Sequence, residues 1–150
     1  MADLENFVRE SNKIEGILRD PTEAEISATA AFLRLDDLGV DDVANIVRVY
    51  QPDARLRDRP MMNVRVGSHY APQGGPEIVG ALEDILFGTD ILHDPYHAHI
   101  QYELLHPFTD GNGRSGRALW ARQMLRFNIS PGLKLGFLHA FYYQTLSASR

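Results

Sequence analysis

Apolar residues recur at helical spacing in almost every segment of this 150-residue chain and alternate in only one, residues 62–66. That pattern predicts a mainly α fold with one β-hairpin. Leu4, Phe7, Val8, Ile14 and Leu18 form a stripe over residues 3–18. Pro21 and Thr22 open a second helix, where Thr22 and Glu25 fit a capping box and Gly39 follows the expected end. Val43, Ile46, Val47 and Tyr50 define a third, from about Asp41 to the residue before Pro52. A polar connector, RLRDR at 55–59, leads to MNVRV at 62–66, whose alternation reads as a short strand, and Gly67 to Gly75 reads as a turn or loop. Pro76 starts a helix over 77–87 with Ile78, Ala81, Leu82, Ile85 and Leu86 on its apolar face. Asp94 and Pro95 form an N-cap and first-turn pair for a helix to about Leu105. Pro107 disfavours helix at His106. A long helix is expected from about Ser115 to Phe127, and the tail from Pro131 has room for one more.

This length suits one domain, 1–150, with one core. The charge balance, 20 Asp and Glu against 15 Lys and Arg, argues against general nucleic-acid binding, which relies on basic patches. Positive charge is local: Arg114, Arg117, Arg122 and Arg126 face only one acid, Asp110, between His106 and Arg126. A small anionic ligand fits that pattern. No cysteine is present, which excludes disulfides, thiol chemistry and thiolate metal sites. MADLENF has neither the basic nor the apolar region of a secretory signal. No apolar run approaches the roughly 18 residues of a membrane span. The expectation is a cytoplasmic protein with no membrane partner.

Residues 106–117, HPFTDGNGRSGR, concentrate the chemistry. Gly111 and Gly113 reach backbone conformations closed to other residues, so the Gly-Asn-Gly turn can aim N–H groups at one anion. The following helix adds its N-terminal dipole and unbonded N–H groups. Arg114 and Arg117, three apart, offer two guanidinium forks suited to a polyphosphate. Asp110 supplies the carboxylate with which Mg2+ is commonly held beside substrate phosphates. His106, at a helix exit, has the residue type of a general base. Each residue alone is ordinary: a turn, a loop acid, solvated arginines, a histidine capping a helix. Together within twelve positions they imply phosphoryl or nucleotidyl transfer to an acceptor hydroxyl.

His99, Glu103 and His106 stand at i, i+4 and i+7, and Glu-x-x-His occurs in di-iron bundles. Such sites need a second Glu-x-x-His, which this chain lacks. His99 and Glu103 therefore read as a solvated i,i+4 pair. His93 precedes the helix and is not expected to share a face with His97.

The loop resembles the signature of the Fic family, HxFx[DE]GNGRxxR, and matches it at every defined position. Looser similarity runs from about residue 62 to 127. The resemblance implies a Fic-type helical bundle with a hairpin flap at 62–75. It also implies transfer of AMP from ATP to a hydroxyl on a target protein, of serine, threonine or tyrosine. In that reading His106 is the base, Phe108 packs into the core and Asp110 binds Mg2+. Gly111, Asn112 and Gly113 cradle the phosphates, Arg114 contacts the phosphate chain, and Arg117 holds the terminal phosphate. The flap edge, with Val64, Val66 and Ser68, would pair with the target's backbone by strand addition. A surface hairpin with no partner is the alternative.

Ser11 and Glu15 interrupt the apolar stripe of the first helix. On the residues alone, Glu15 is satisfied by water at the stripe's edge or by Arg19 at i+4. SNKIEG at 11–16 resembles the family's inhibitory motif, [ST]xxxE[GN]. By that resemblance residues 1–20 are an inhibitory helix, and Glu15 pairs with Arg117 where the γ-phosphate of ATP would bind. Some relatives with such a glutamate also remove AMP. Transfer of UMP, phosphate or phosphocholine, and a non-catalytic nucleotide-binding or toxin-like interaction module, are the competing expectations.

Overall fold

A computed structural model describes residues 2–88 and 94–126. The expected helix from Pro131, the end of the last helix at Phe127, and His93 lie outside the described residues. Among the described residues six helices carry the structure: α1 Ala2–Ile14, α2 Glu23–Leu33, α3 Val40–Tyr50, α4 Pro76–Phe87, α5 Pro95–Leu105 and α6 Asn112–Arg126. The chain is mainly α, and one antiparallel hairpin completes the fold. Its strands are two residues each, β1 Arg65–Val66 and β2 His69–Tyr70, paired Arg65 with Tyr70 and Val66 with His69. MNVRV at 62–66 is therefore mostly not strand. No helix among the described residues is long and apolar enough to cross a membrane.

The central core joins α3, α4, α5 and α6 through Val43, Ile46, Val47, Ile78, Leu82, Leu86, Tyr102, Leu105, Phe108 and Leu119. Those of α3 and α4 are the positions read at helical spacing, and burying each large apolar side chain contributes about 1.5–3 kcal/mol. α1 packs on α2 and α6, with Phe7 and Val8 against Ala121. It ends at Ile14, so Leu18 leaves the stripe and is 79% exposed. Gly16, at φ 80, turns the chain out of the helix.

Thr22 caps α2 as its sequence requires. Its hydroxyl accepts from the Glu25 N–H at 3.1 Å, and the Glu25 carboxylate accepts from the Thr22 N–H at 2.7 Å. Such a cap contributes about 1 kcal/mol. α2 stops at Leu33, and Gly39 begins α3 rather than ending α2, with its N–H donated to Asp42 at 2.9 Å. The polar connector is partly structural: Leu56 bridges Phe108, and Arg57 is wholly buried. Asp94 caps α5 as expected, accepting from the His97 N–H at 3.0 Å. α6 begins at Asn112, three residues earlier than Ser115, because Gly111 at φ 76 completes the turn into it.

Candidate active site

The segment 106–111 joins α5 to α6, two helices packed face to face. Gly116 allows that approach: an added Cβ there would overlap the Glu103 carboxylate and stand 3.0 Å from the Tyr102 ring. His99 and Glu103 are both buried at this contact, not solvated as expected, with His99 Nε2 and Glu103 Oε1 4.0 Å apart. His99 Nδ1 donates to the Gly116 carbonyl at 2.9 Å, and its ring stacks on Trp120. Burial holds the imidazole down to about 3, helped by Arg117 and opposed by the Gly116 hydrogen bond.

His106 leaves α5 in the left-handed conformation, φ 51 and ψ 61. Its Nδ1 lies 3.2 Å from the Glu103 carbonyl. A carbonyl only accepts, so in neutral His106 Nδ1 carries the proton and Nε2 presents a lone pair. Phe108 is buried in the core next to it. Asn112 fixes the loop: its Oδ1 accepts from the Phe108 N–H at 2.9 Å and its Nδ2 donates to the Phe108 carbonyl at 2.8 Å. The Asn112 side chain is thereby committed to the loop, and what it offers an anion is its backbone N–H.

The N–H groups of Asn112, Gly113 and Arg114 precede the first bond of α6, Ser115 N–H to the Gly111 carbonyl at 3.0 Å. They form the positive end of a fifteen-residue helix. Asp110 is exposed beside them, its Oδ1 accepting from the Gly111 N–H at 2.7 Å. Among the described residues that leaves its second oxygen available to a cation. Arg114 and Arg117 sit one turn apart yet engage different walls. Arg114 turns to α3, donating to the Tyr50 carbonyl at 3.0 Å and to Gln51 at 3.2 Å. Its Nε has no partner among the described residues, and burial lowers its pKa. Arg122 and Arg126 bond the carbonyls of Leu35 and Asp36, so the four arginines do not form one anion site.

Arg117 is 1% exposed and turns to α1. Its Nε donates to Ser11 Oγ at 2.8 Å, and Nη2 donates to the Ser11 carbonyl at 2.9 Å and to Glu15 Oε2 at 2.6 Å. Glu15 itself is one residue past the end of α1 and 36% exposed. Arg19 does not take it; Arg19 pairs with Glu25 at 2.9 Å. The Glu15 carboxylate lies so close over Gly113 that an added Cβ would stand 2.5 Å from Oε2. A carboxylate therefore occupies the N-terminal end of α6, where helix termini bind anions.

The hairpin stands beside the end of α5. His69 Nε2 lies 3.0 Å from the Leu104 carbonyl, and Val64 accepts from the Ala71 N–H at 3.3 Å. Ser68 and Tyr70 are exposed, and Val66 is half-buried. Two site residues were missed by sequence reasoning. Arg57 donates to the His106 carbonyl, and nothing in RLRDR separates it from Arg55 and Arg59. Gln51 receives Arg114, and its place just after α3 was the available signal.

A family model described as the Fic/DOC family matches residues 40–124. The protein adenylyltransferase fic-1 of Caenorhabditis elegans is 28% identical over 152 residues, covering 93% of this chain and 29% of its own length. The chain thus spans less than a third of that relative.

Proposed function

Because the chain belongs to the Fic/DOC family, we propose that it transfers AMP from ATP to a hydroxyl side chain of a protein, and that Glu15 restrains this activity. The observation that carries the reading is the Glu15 carboxylate seated at the start of α6 on Arg117, at 2.6 Å. Fic-type transferase activity accords with the similarity to an adenylyltransferase.

The chemistry follows from the side chains. His106 Nε2 takes the proton of the acceptor hydroxyl. The hydroxyl oxygen forms a bond to the α-phosphorus of ATP, and the bond from that phosphorus to the bridging oxygen breaks. Pyrophosphate leaves with the electron pair, and the product is a phosphodiester between AMP and the protein. The α6 N-terminus and Arg114 hold phosphate oxygens, and Arg117 is the seat of the terminal phosphate once Glu15 leaves it. Asp110 would hold Mg2+, whose charge would offset that of the phosphates. The edge of the hairpin, from Val64 to Ser68, would hold the target as an added strand. The absence of cysteine fits a cytoplasmic setting.

Lysate proteins treated with ATP and the Glu15→Gly protein should gain AMP on hydroxyl residues, as read by mass spectrometry. The same protein with His106→Ala should lose about 10²–10⁴-fold of that transfer, the usual contribution of a general base, while still binding ATP. UMP, phosphate or phosphocholine adducts formed with their own donors would reassign the transferred group. Tight ATP binding with no adduct would make the chain a nucleotide-binding module.

A further inference from the structure

Arg57 is the largest wholly buried side chain among the described residues, and no carboxylate among them pairs with it. Four of its five N–H donors go to backbone carbonyls in two groups. Nε donates to the His106 carbonyl at 2.6 Å, and Nη2 donates to the Leu105 carbonyl at 2.8 Å. Nη1 donates to Met62 at 3.0 Å and to Pro72 at 2.7 Å. Its backbone repeats the pattern, donating to the Pro107 carbonyl and accepting from the Gly75 N–H, both at 2.9 Å.

One group is the end of α5 and the residue read as the base. The other is the two-sided neck of the hairpin. At that neck the chains nearly touch: a Cβ on Gly74 would stand 2.6 Å from the Arg59 and Met62 carbonyls. Burying a guanidinium without a counter-charge is costly. Here the negative end of α5 and four carbonyl dipoles supply the compensation. Left-handed backbone is unfavourable at a non-glycine residue, and Arg57 holds the carbonyl of His106 in it.

We propose that Arg57 is a positioning residue that locks the hairpin neck to the His106 backbone, so that the strand presenting the acceptor hydroxyl and the base keep one geometry. This rests on the reading of His106 as base and of the hairpin as the target-binding edge. Lysine at this position keeps the charge but has one nitrogen, which cannot span both groups.

The test places Arg57→Lys and Arg57→Gln in the Glu15→Gly background. Transfer of label from α-labelled ATP to lysate proteins should fall about 100-fold in both, the loss expected from a misplacement of about 1 Å. ATP affinity, measured by calorimetry, should be unchanged, because the α6 N-terminus is untouched. Amide exchange without ligand should accelerate at residues 62–75 and 104–108 together, and stay slow in α2 and α3. Full transfer by Arg57→Lys would overturn the proposal. So would exchange accelerated throughout the chain, or at only one of the two segments. If the Glu15→Gly parent itself transfers nothing, the functional reading falls instead, and the exchange pattern still decides whether Arg57 couples the two segments.

Discussion

Four arginines serve here less as surface charge than as links between backbone segments. Arg57, Arg114, Arg117 and Arg122 are buried, and most of their donors go to carbonyls rather than to carboxylates. Glycine is the counterpart, marking where side chains must pass. Gly113 leaves room for the Glu15 carboxylate and Gly116 for Glu103. Gly116→Ala is expected to destabilise the fold by about 1–3 kcal/mol, the usual effect of overpacking, read as a lower denaturant midpoint. An unchanged midpoint would mean that α5 and α6 separate easily. Residue identity inside the 106–117 loop was legible, since His106, Asp110, Gly111 and Arg117 stand where the motif puts them. The partners were not. A sequence does not say that Arg114 faces Tyr50, that Asn112 closes on Phe108, or that Arg57 alone of three nearby arginines is buried, because each depends on long-range packing.

The helices were legible wherever caps and apolar spacing agree, as at Thr22 and Asp94, because both signals are local. Boundaries failed where tertiary contacts decide. α1 stops at Ile14 because the chain turns at Gly16 toward α2, and the strands shrink to two residues because only Val66 and its neighbour find partners. The connection from α1 to α2 is fastened at Glu25, which accepts from Thr22, Arg19 and Asn12. Burial opposes the charge on Glu25, and the Arg19 and Thr22 hydrogen bonds outweigh it, so its pKa is lowered. Glu25→Ala should therefore accelerate amide exchange over residues 8–22 and raise basal transfer, though less than Glu15→Gly does. Unchanged exchange there would show that α1 is held by Phe7 and Val8 alone.

Across the whole molecule, the first helix lies over the second arginine of the loop, and the bonds from Arg117 to Ser11 and Glu15 link segments more than 100 residues apart. One buried group sets a pH response. Unfolded histidine protonates near pH 6.5, whereas folded His99 stays neutral down to about 3. Below pH 6.5 the unfolded state binds more protons, so stability falls with acidification by up to about 1.4 kcal/mol per pH unit. His99→Asn should flatten the acid limb of Tm against pH, and an equal slope would remove His99 as its source. The central claim is that Glu15 and the last phosphate of ATP compete for Arg117. It is tested most directly by the initial rate of label transfer from α-labelled ATP, wild type against Glu15→Gly. The rate should rise by roughly 5- to 150-fold, the usual range of coupling between two sites, and Arg117→Ala should abolish the gain. Equal rates in wild type and Glu15→Gly would contradict it.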